Sequence, residues 1–186
     1  INQNMLSISE KALKMPASPI RKLVPFADAA KKRGTKVYHL NIGQPDIESP
    51  KEALDAIKNN TLKLVEYPHS AGILSFRQGL AKYYQNIGID VNENEINITN
   101  GGSEALQIAI AVTCNPDEEI LVMEPFYTNY NTFALQNDVI LKPISTDIKN
   151  GFALPPMEEL EKHITPKTKG ILICNPGNPT GCLYSK

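Results

Sequence analysis

The segment TNGGSEAL, residues 99–106, combines residue types that could hold a phosphate group. A short apolar run leads into Gly101 and Gly102, and a predicted helix begins directly afterwards at Ser103. Glycines let the backbone approach a ligand closely, and a helix start offers N–H groups and a partial positive charge to an anion. A tight turn with Ser103 as an ordinary N-cap explains the octamer equally well. The segment has neither the Gly-Lys-Ser/Thr of a P-loop nor a G-x-G-x-x-G dinucleotide turn.

The segment EPFYTNY, residues 124–130, places aromatic residues after another apolar run in a chain that is only 6% aromatic. A ring at the end of a strand, such as Tyr127, could stack on a flat ligand. Taken alone, these rings are better explained as part of the core.

The segment NPGNPTG, residues 175–181, follows the apolar run KGILIC. Each proline fixes φ and keeps the residue before it extended, so the loop is stiff and could aim an amide side chain at a fixed point. Asn178 could then donate a hydrogen bond to a phenolate-like oxygen. A simple loop terminator explains this composition less well.

The elements that must position these loops alternate between strands and helices. Several strands are apolar on both faces, which favours an α/β fold with three α-β-α layers around a mostly parallel sheet. Ligands of such sheets bind beyond the carboxyl ends of the strands, where all three loops are expected. The predicted strands are 36–40, 95–99, 118–123, 139–144 and 169–174, and the predicted helices are 19–33, 50–59, 73–87, 103–114, 127–136 and 156–164.

Composition excludes several classes of function. The 186 residues are 41% hydrophobic and 21% charged with a net charge of −1, so a core is expected and nucleic acid is not a partner. No apolar run approaches the roughly 20 residues of a membrane helix, and no signal peptide is visible. Three cysteines without metal spacing are interpreted as reduced thiols in a cytoplasmic protein. The three histidines lack metal spacing as well, so no metal site is predicted.

The order NIGQPD, YPHSAG, TNGGSEAL, EPFYTNY, NPGNPTG resembles the motifs of the fold-type I pyridoxal-phosphate (PLP) enzymes, in particular the class I/II aminotransferases of the aspartate aminotransferase type. The resemblance extends over about residues 18–182. It implies the large-domain fold of PLP-dependent transferases, incomplete at its C-terminal side. Residues 1–45 would belong to the small domain, and residues 46–186 would form the first part of the large PLP-binding domain.

The resemblance also implies a role for each cofactor-binding residue. Gly101, Gly102 and Ser103 would hold the cofactor phosphate at the helix N-terminus. Tyr127 would stack on the pyridine ring, where many relatives carry Trp. Tyr67 of YPHSAG would reach across the interface of a homodimer to the phosphate bound by the neighbouring subunit.

Two residues would complete the site. Asn178 would hydrogen-bond the phenolic oxygen of the cofactor ring beside the substrate, with Pro179 shaping its loop. Gly43 of NIGQPD would offer its backbone N–H to the substrate carboxylate. The phosphate cradle formed by Gly101, Gly102 and Ser103 therefore matches the phosphate of PLP. Tyr127 matches its ring, and Asn178 matches its phenolic oxygen.

The catalytic lysine of the family has no counterpart among these residues. The lysine that forms the internal aldimine, the Asp that pairs with the pyridinium and the Arg that binds the substrate carboxylate are expected beyond Lys186, which is interpreted as a surface residue. The chain is therefore expected to be an N-terminal fragment that is inactive alone. The parent would be an aminotransferase that uses an amino acid, with a lean towards aspartate, and a 2-oxo acid.

Two other functions stay open at this point. A carbon–sulfur β-lyase or an aminocyclopropane-carboxylate synthase-like enzyme would use the same cofactor residues, although NIGQPD is closer to the aminotransferase pattern. A PLP-sensing module of a transcription regulator is less favoured, because such proteins carry a basic DNA-binding region before the PLP domain. Arg21 and Arg77 are interpreted as partners in structural ion pairs.

Overall fold

A computed structural model describes residues 7–185 of the chain. These residues divide into two compact units. The first unit combines the segment up to Arg33 with the residues from Gly101 onwards, and the second unit is Gly34–Asn100. The predicted boundary at residue 45 is not tested by this division and stays a prediction.

The first unit contains five α-helices and three strands among the described residues. In chain order they are α1 Glu10–Lys14, α2 Val24–Lys32, then, after the second unit, α5 Gly102–Thr113, β1 Glu119–Glu124, α6 Asn129–Gln136, β2 Ile140–Ser145, α7 Met157–Glu161 and β3 Thr168–Leu172. The second unit holds α3 Lys51–Lys58 and α4 Leu74–Asn86. Three-residue 3₁₀ turns lie at Arg21–Leu23, Glu93–Glu95 and Ile148–Asn150. No helix within residues 7–185 is both long and apolar enough to cross a membrane.

The sheet is parallel, with the strand order β2-β1-β3. Ile120 of β1 is paired with Leu141 of β2 on one side and with Gly170 of β3 on the other. Each strand is followed or preceded by a helix that crosses over the sheet, as a parallel pairing requires. The predicted mostly parallel α/β sheet is therefore confirmed.

Alternate residues of β1 face two different cores. Ile120 and Val122 pack with Ile110 of α5 and with Phe133 and Ala134 of α6. Leu121 and Met123 face the opposite side, where they pack with Ile144, Leu160 of α7 and Tyr184. Because successive strand residues point to opposite faces, an all-apolar strand must be covered twice. Helices lie on both faces, which confirms the three-layer α-β-α arrangement.

In the second unit, the side chain of Arg77 in α4 is buried, with only 8% exposure. Its Nε donates to the Gly72 carbonyl at 3.2 Å, and its Nη1 donates to the Glu93 carbonyl at 2.7 Å. Within residues 7–185 these partners are backbone carbonyls rather than carboxylates, so hydrogen bonds that hold two loops take the place of the predicted ion pair.

Two predicted strands are wrong. Residues 36–40 and 95–99 have no strand assignment, although the other three predicted strands are present within one or two residues. A strand is stabilised by ladder hydrogen bonds to a neighbour, and Ile98 makes one such bond, from its N–H to the Ala71 carbonyl at 3.0 Å. The apolar pattern of these segments is real, but it does not supply the pairing partner.

Two helix starts also differ from the prediction. The helix expected from Pro19 begins as a regular α-helix only at Val24, so Pro25 lies in the first turn, where its missing N–H costs nothing, and does not kink the helix. Ser18 Oγ accepts the N–H of Arg21, the first residue of the 3₁₀ turn, at 3.3 Å. At α3 the N-cap is Pro50, which makes no side-chain cap, and the helix begins at Lys51, one residue after the predicted start.

Candidate active site

The topology brings three of the predicted loops of the first unit to one edge of its sheet. Strands β1 and β3 are parallel, so the loops that follow Glu124 and Leu172 leave from the same edge. Helix α5 ends at Thr113, shortly before β1 begins, and it packs along the sheet through Ile110. Its N-terminus therefore points back to the carboxyl ends of the strands. Ligands of open parallel sheets bind at this edge.

The N-terminus of α5 is formed by glycines and carries no side-chain cap. Gly101 has φ 90°, a conformation that glycine adopts without strain, and it turns the chain directly into the helix. A Cβ built on Gly101 or Gly102 would meet no atom within 4 Å, so no side chain crowds these two positions. Ser103 lies exposed in that turn. The helix begins at Gly102, one residue before the predicted start.

Tyr127 lies just after β1 and is held from two sides. Its hydroxyl oxygen accepts a hydrogen bond from Asn129 Nδ2 at 2.7 Å, and its ring meets the Tyr130 ring edge-on with a centroid distance of 5.5 Å. The Tyr127 side chain is partly buried and packs against the same core cluster as Leu106, which lies one turn into α5. The ring therefore belongs partly to the core, as its composition suggested.

Tyr130 is the most buried polar side chain of this region, with 7% exposure. Burial, together with hydrogen bonding and charge from the neighbouring Cys174 thiol, raises its pKa to about 12. The phenol therefore stays neutral at ordinary pH. Tyr130 also stacks on Phe126 at a centroid distance of 6.2 Å, so the rings of Phe126, Tyr127 and Tyr130 form one aromatic cluster.

Asn178 lies at the exposed tip of the loop that follows β3. It lines a small cavity together with Phe126, Tyr130, Cys174, Thr180 and Tyr184. The peptide bonds Asn175-Pro176 and Asn178-Pro179 are both cis. The structure thus places Asn178 with Phe126 and Tyr130 in one cavity at the carboxyl edge of the sheet, and Tyr127 is not among the residues that line it.

The two remaining predicted site residues, Gly43 and Tyr67, lie in the second unit. The Tyr67 side chain is fully exposed, at 103% of its reference area. Gly43 has no atom within 4 Å of a built Cβ. Nearby, His69 Nδ1 accepts the Ala71 N–H at 3.1 Å, so this histidine closes a local turn. The predicted roles of Gly43 and Tyr67 stay predictions.

The residues at the sheet edge fit the three functional groups of PLP. A helix N-terminus built from two glycines that no side chain crowds suits a phosphate, and a ring held by its hydroxyl suits stacking. The amide of Asn178 is exposed and shares a cavity with aromatic side chains. In the described part of the chain, His, Cys, Asp and Glu side chains form no group of three that could hold a metal ion.

Comparison with known proteins identifies the family. The sequence model of the family "Aminotransferase class I and II" matches residues 35–186. The chain belongs to this family. The resemblance inferred from the five motifs is thereby confirmed, and the family implies PLP as the cofactor.

Curated relatives of this aminotransferase chain differ in their named amino acids. The aspartate aminotransferase of Thermotoga maritima is 29% identical over 181 residues, which cover 96% of this chain and 48% of the relative. The glutamate-pyruvate aminotransferase AlaA of Haemophilus influenzae is 34% identical over 158 residues, covering 82% and 39%. The chain therefore spans about half the length, or less, of the curated relatives it matches.

Solved structures of aminotransferases share the fold. A double mutant of the Thermus thermophilus aspartate aminotransferase superposes with a TM-score of 0.87 at 27% identity, covering 97% of this chain and 48% of that one. The alanine aminotransferase of Pyrococcus furiosus gives a TM-score of 0.86 at 32% identity, covering 97% and 47%.

Sequence reasoning missed four residues that shape this site: Asn129, Tyr130, Asn175 and Tyr184. A signal existed for Tyr130, because it follows Tyr127 by three residues at the start of a predicted helix, where both side chains share a face. No local signal links Asn175 to Tyr184, which lies nine residues further on across a loop.

Proposed function

We propose that this chain is the N-terminal half of a PLP-dependent aminotransferase, which moves an amino group between an amino acid and a 2-oxo acid. Family membership supports the reaction class. The topology supports the proposal, because it brings the segments that carry the α5 N-terminus, Tyr127 and Asn178 to one edge of a parallel sheet. PLP, when bound, supplies the electron sink of the reaction.

The chain's own residues would bind and orient the cofactor. The first-turn N–H groups of α5 and the Ser103 hydroxyl would hold the phosphate dianion, which the partial positive charge of the helix end favours. Tyr127, fixed by Asn129 and Tyr130, would cover one face of the ring. The Asn178 amide would donate to the phenolic oxygen. Because no substituent crowds Gly101 or Gly102, the phosphate could approach the backbone closely.

Two further roles concern the second unit and the assembly. Gly43 would offer its N–H to the substrate carboxylate. Tyr67, whose side chain is fully exposed, would reach the phosphate bound by a second copy in a homodimer.

The lysine, aspartate and arginine that complete the family's site would lie beyond Lys186. The reduced thiols predict a cytoplasmic location. Aspartate is the first amino donor to test, because relatives named for it are among those matched.

The test measures amino transfer by the full-length protein that contains these residues. The purified protein is supplied with PLP, aspartate and 2-oxoglutarate, and glutamate formation is followed. Release of pyruvate and sulfide from cysteine or related substrates would instead indicate a β-lyase. The 186-residue chain alone should show no turnover, and activity in that pure chain would contradict the proposed division of the site.

The phosphate cradle is tested by one matched pair of variants of the same protein. Ser103→Ala removes a hydroxyl that would donate to a charged group. The loss of this hydrogen bond corresponds to roughly 1.5 kcal/mol and should raise the PLP dissociation constant about tenfold. Ser75→Ala changes an exposed serine on α4 and should leave the constant unchanged. Equal constants in both variants would contradict the assignment of Ser103.

A further inference from the structure

We propose that Asn175 is a positioning residue: its amide closes the loop that carries Asn178 and so sets the direction of the Asn178 side chain. The inference rests on the proposed function, since it concerns how the cofactor's phenolic oxygen is met. Asn175 itself would not touch the cofactor. It would act through the loop.

The Asn175 side chain pairs with both backbone groups of one distant residue. Its Nδ2 donates to the Tyr184 carbonyl at 3.3 Å, and its Oδ1 accepts the Tyr184 N–H at 3.1 Å. An amide side chain can satisfy one donor and one acceptor together, as a backbone partner in a sheet does. The pair therefore ties the two ends of the loop 175–184 together.

Hydrogen bonds between residues closer together in the sequence lie inside the loop 175–184. The Gly177 N–H donates to the Cys182 carbonyl at 2.8 Å, and the Gly181 N–H donates to the Gly177 carbonyl at 2.7 Å. The Cys182 N–H donates to Thr180 Oγ1 at 3.2 Å. Asn178 lies between these bonds and is exposed, so little packing fixes its side chain. Its direction depends on the backbone frame that Asn175 closes.

The frame is fixed to the core at Tyr184. The Tyr184 side chain packs against the cluster formed by Leu121, Met123 and Ile144, of which Leu121 is fully buried. Asn175 therefore connects the Asn178 loop to a rigid part of the sheet. Without this pair, the loop would keep its inner bonds and the contact of Cys182 Sγ with the Phe152 carbonyl at 3.5 Å, but it would lose the hydrogen bonds that join Asn175 to Tyr184.

The experiment uses the full-length protein with bound PLP and two readouts. The first is the pH midpoint of the visible absorbance of bound PLP, and the second is the PLP dissociation constant. A hydrogen-bond donor to the phenolic oxygen of bound PLP favours the deprotonated form of the cofactor. Loss of that donor therefore raises the pH midpoint of the absorbance change. Asn178→Ala should raise the midpoint by about one unit, which corresponds to one hydrogen bond to a charged group.

Asn175→Ala should raise the midpoint in the same direction by about half a unit and weaken PLP binding about threefold to fivefold. In the Asn175→Ala/Asn178→Ala double variant, the midpoint should equal that of Asn178→Ala alone, because the indirect effect needs the Asn178 amide. Asn60→Ala is the matched control: it removes an amide that accepts the Leu62 N–H at 2.9 Å in a turn of the second unit, and it should change neither readout.

Three results would overturn the inference. An unchanged midpoint in Asn175→Ala, or additive shifts in the double variant, would make Asn175 a purely structural residue. If Asn175→Ala fails to fold, Asn175→Ser is measured instead; its hydroxyl cannot span both groups of Tyr184, so an unchanged midpoint there has the same meaning. Absence of a visible PLP band in the unaltered full-length protein would overturn the proposed function together with this role.

Discussion

The Gly177→Ala substitution tests the packing of the Asn178 loop directly. A Cβ on Gly177 would lie 2.5 Å from Thr180 Oγ1 and 3.5 Å from the Cys182 carbonyl oxygen. Thr180 Oγ1 has little freedom to move away, because it accepts the Cys182 N–H at 3.2 Å. Gly177 is not among the glycines with positive φ, so the expected effect is steric and not backbone strain.

The size of the effect follows from two contributions. Overpacking by one methyl group costs typically about 1–3 kcal/mol. If Thr180 rotates away to relieve the overlap, its hydrogen bond with Cys182 is lost, at a cost of about 1 kcal/mol. We therefore expect the free energy of unfolding to fall by about 2 kcal/mol, which lowers the urea midpoint by roughly 1 M.

The assay is equilibrium urea unfolding followed by circular dichroism, in the original chain and in a Thr180→Ala background. Removing Thr180 Oγ1 opens the space that the new methyl group needs, so Gly177→Ala should cost less than about 0.5 kcal/mol there. Gly170→Ala is the matched control, since a Cβ on Gly170 meets no atom within 4 Å.

Two outcomes would refute this reasoning. An equal loss of stability from Gly177→Ala in both backgrounds would mean that the Thr180 contact does not limit the loop. An equal loss in Gly170→Ala would mean that any added methyl group destabilises the strand and its loop. Hydrogen exchange of the Gly181 amide, which donates to the Gly177 carbonyl at 2.7 Å, locates the change.

Two further predictions concern stability. Gly72→Ala should destabilise the second unit by about 2–4 kcal/mol in thermal unfolding, because Gly72 has φ 100° and its Cβ would overlap the Ile98 side chain, whereas Gly79→Ala in the open face of α4 should stabilise it by up to about 1 kcal/mol. The raised pKa of Tyr130, due first to burial and then to Cys174, means that the folded state keeps the phenol proton. The resulting stability is complete below about pH 10 and is lost as the pH rises towards about 12. When the pH is raised from about 9 to about 11.5, the free energy of unfolding measured in guanidinium should therefore fall by about 2 kcal/mol less in Tyr130→Phe than in the original chain. Equal losses in the two proteins would contradict the assignment.

Strands were predictable where the sequence shows a continuous apolar run bounded by charged residues. The run EEILVM places four buried residues, Ile120 to Met123, between charged ends, and the structure has β1 there. The segments at 36–40 and 95–99 carry a similar apolar pattern, but a strand also needs a neighbour, which local sequence does not specify.

The site was predictable in its parts and not in its connections. Composition alone marked Asn178 and Tyr127 as unusual, because prolines and aromatic residues follow strands there. The contacts that hold these residues come from elsewhere: Asn129 for the Tyr127 hydroxyl, and Tyr184 for the loop of Asn178. Such contacts depend on how the backbone folds back, so they had no signature in a single sequence.

The closure between Asn175 and Tyr184 has a consequence for dividing enzymes of this kind into complementing pieces. A cut placed between these two residues would separate the amide from both of its backbone partners and detach the loop from the sheet. Reassembly would then have to rebuild the loop between two polypeptides, against the entropy of association. A cut placed after Tyr184 leaves the loop and its attachment in one piece, so split reporters designed on this scaffold should be divided downstream of that residue.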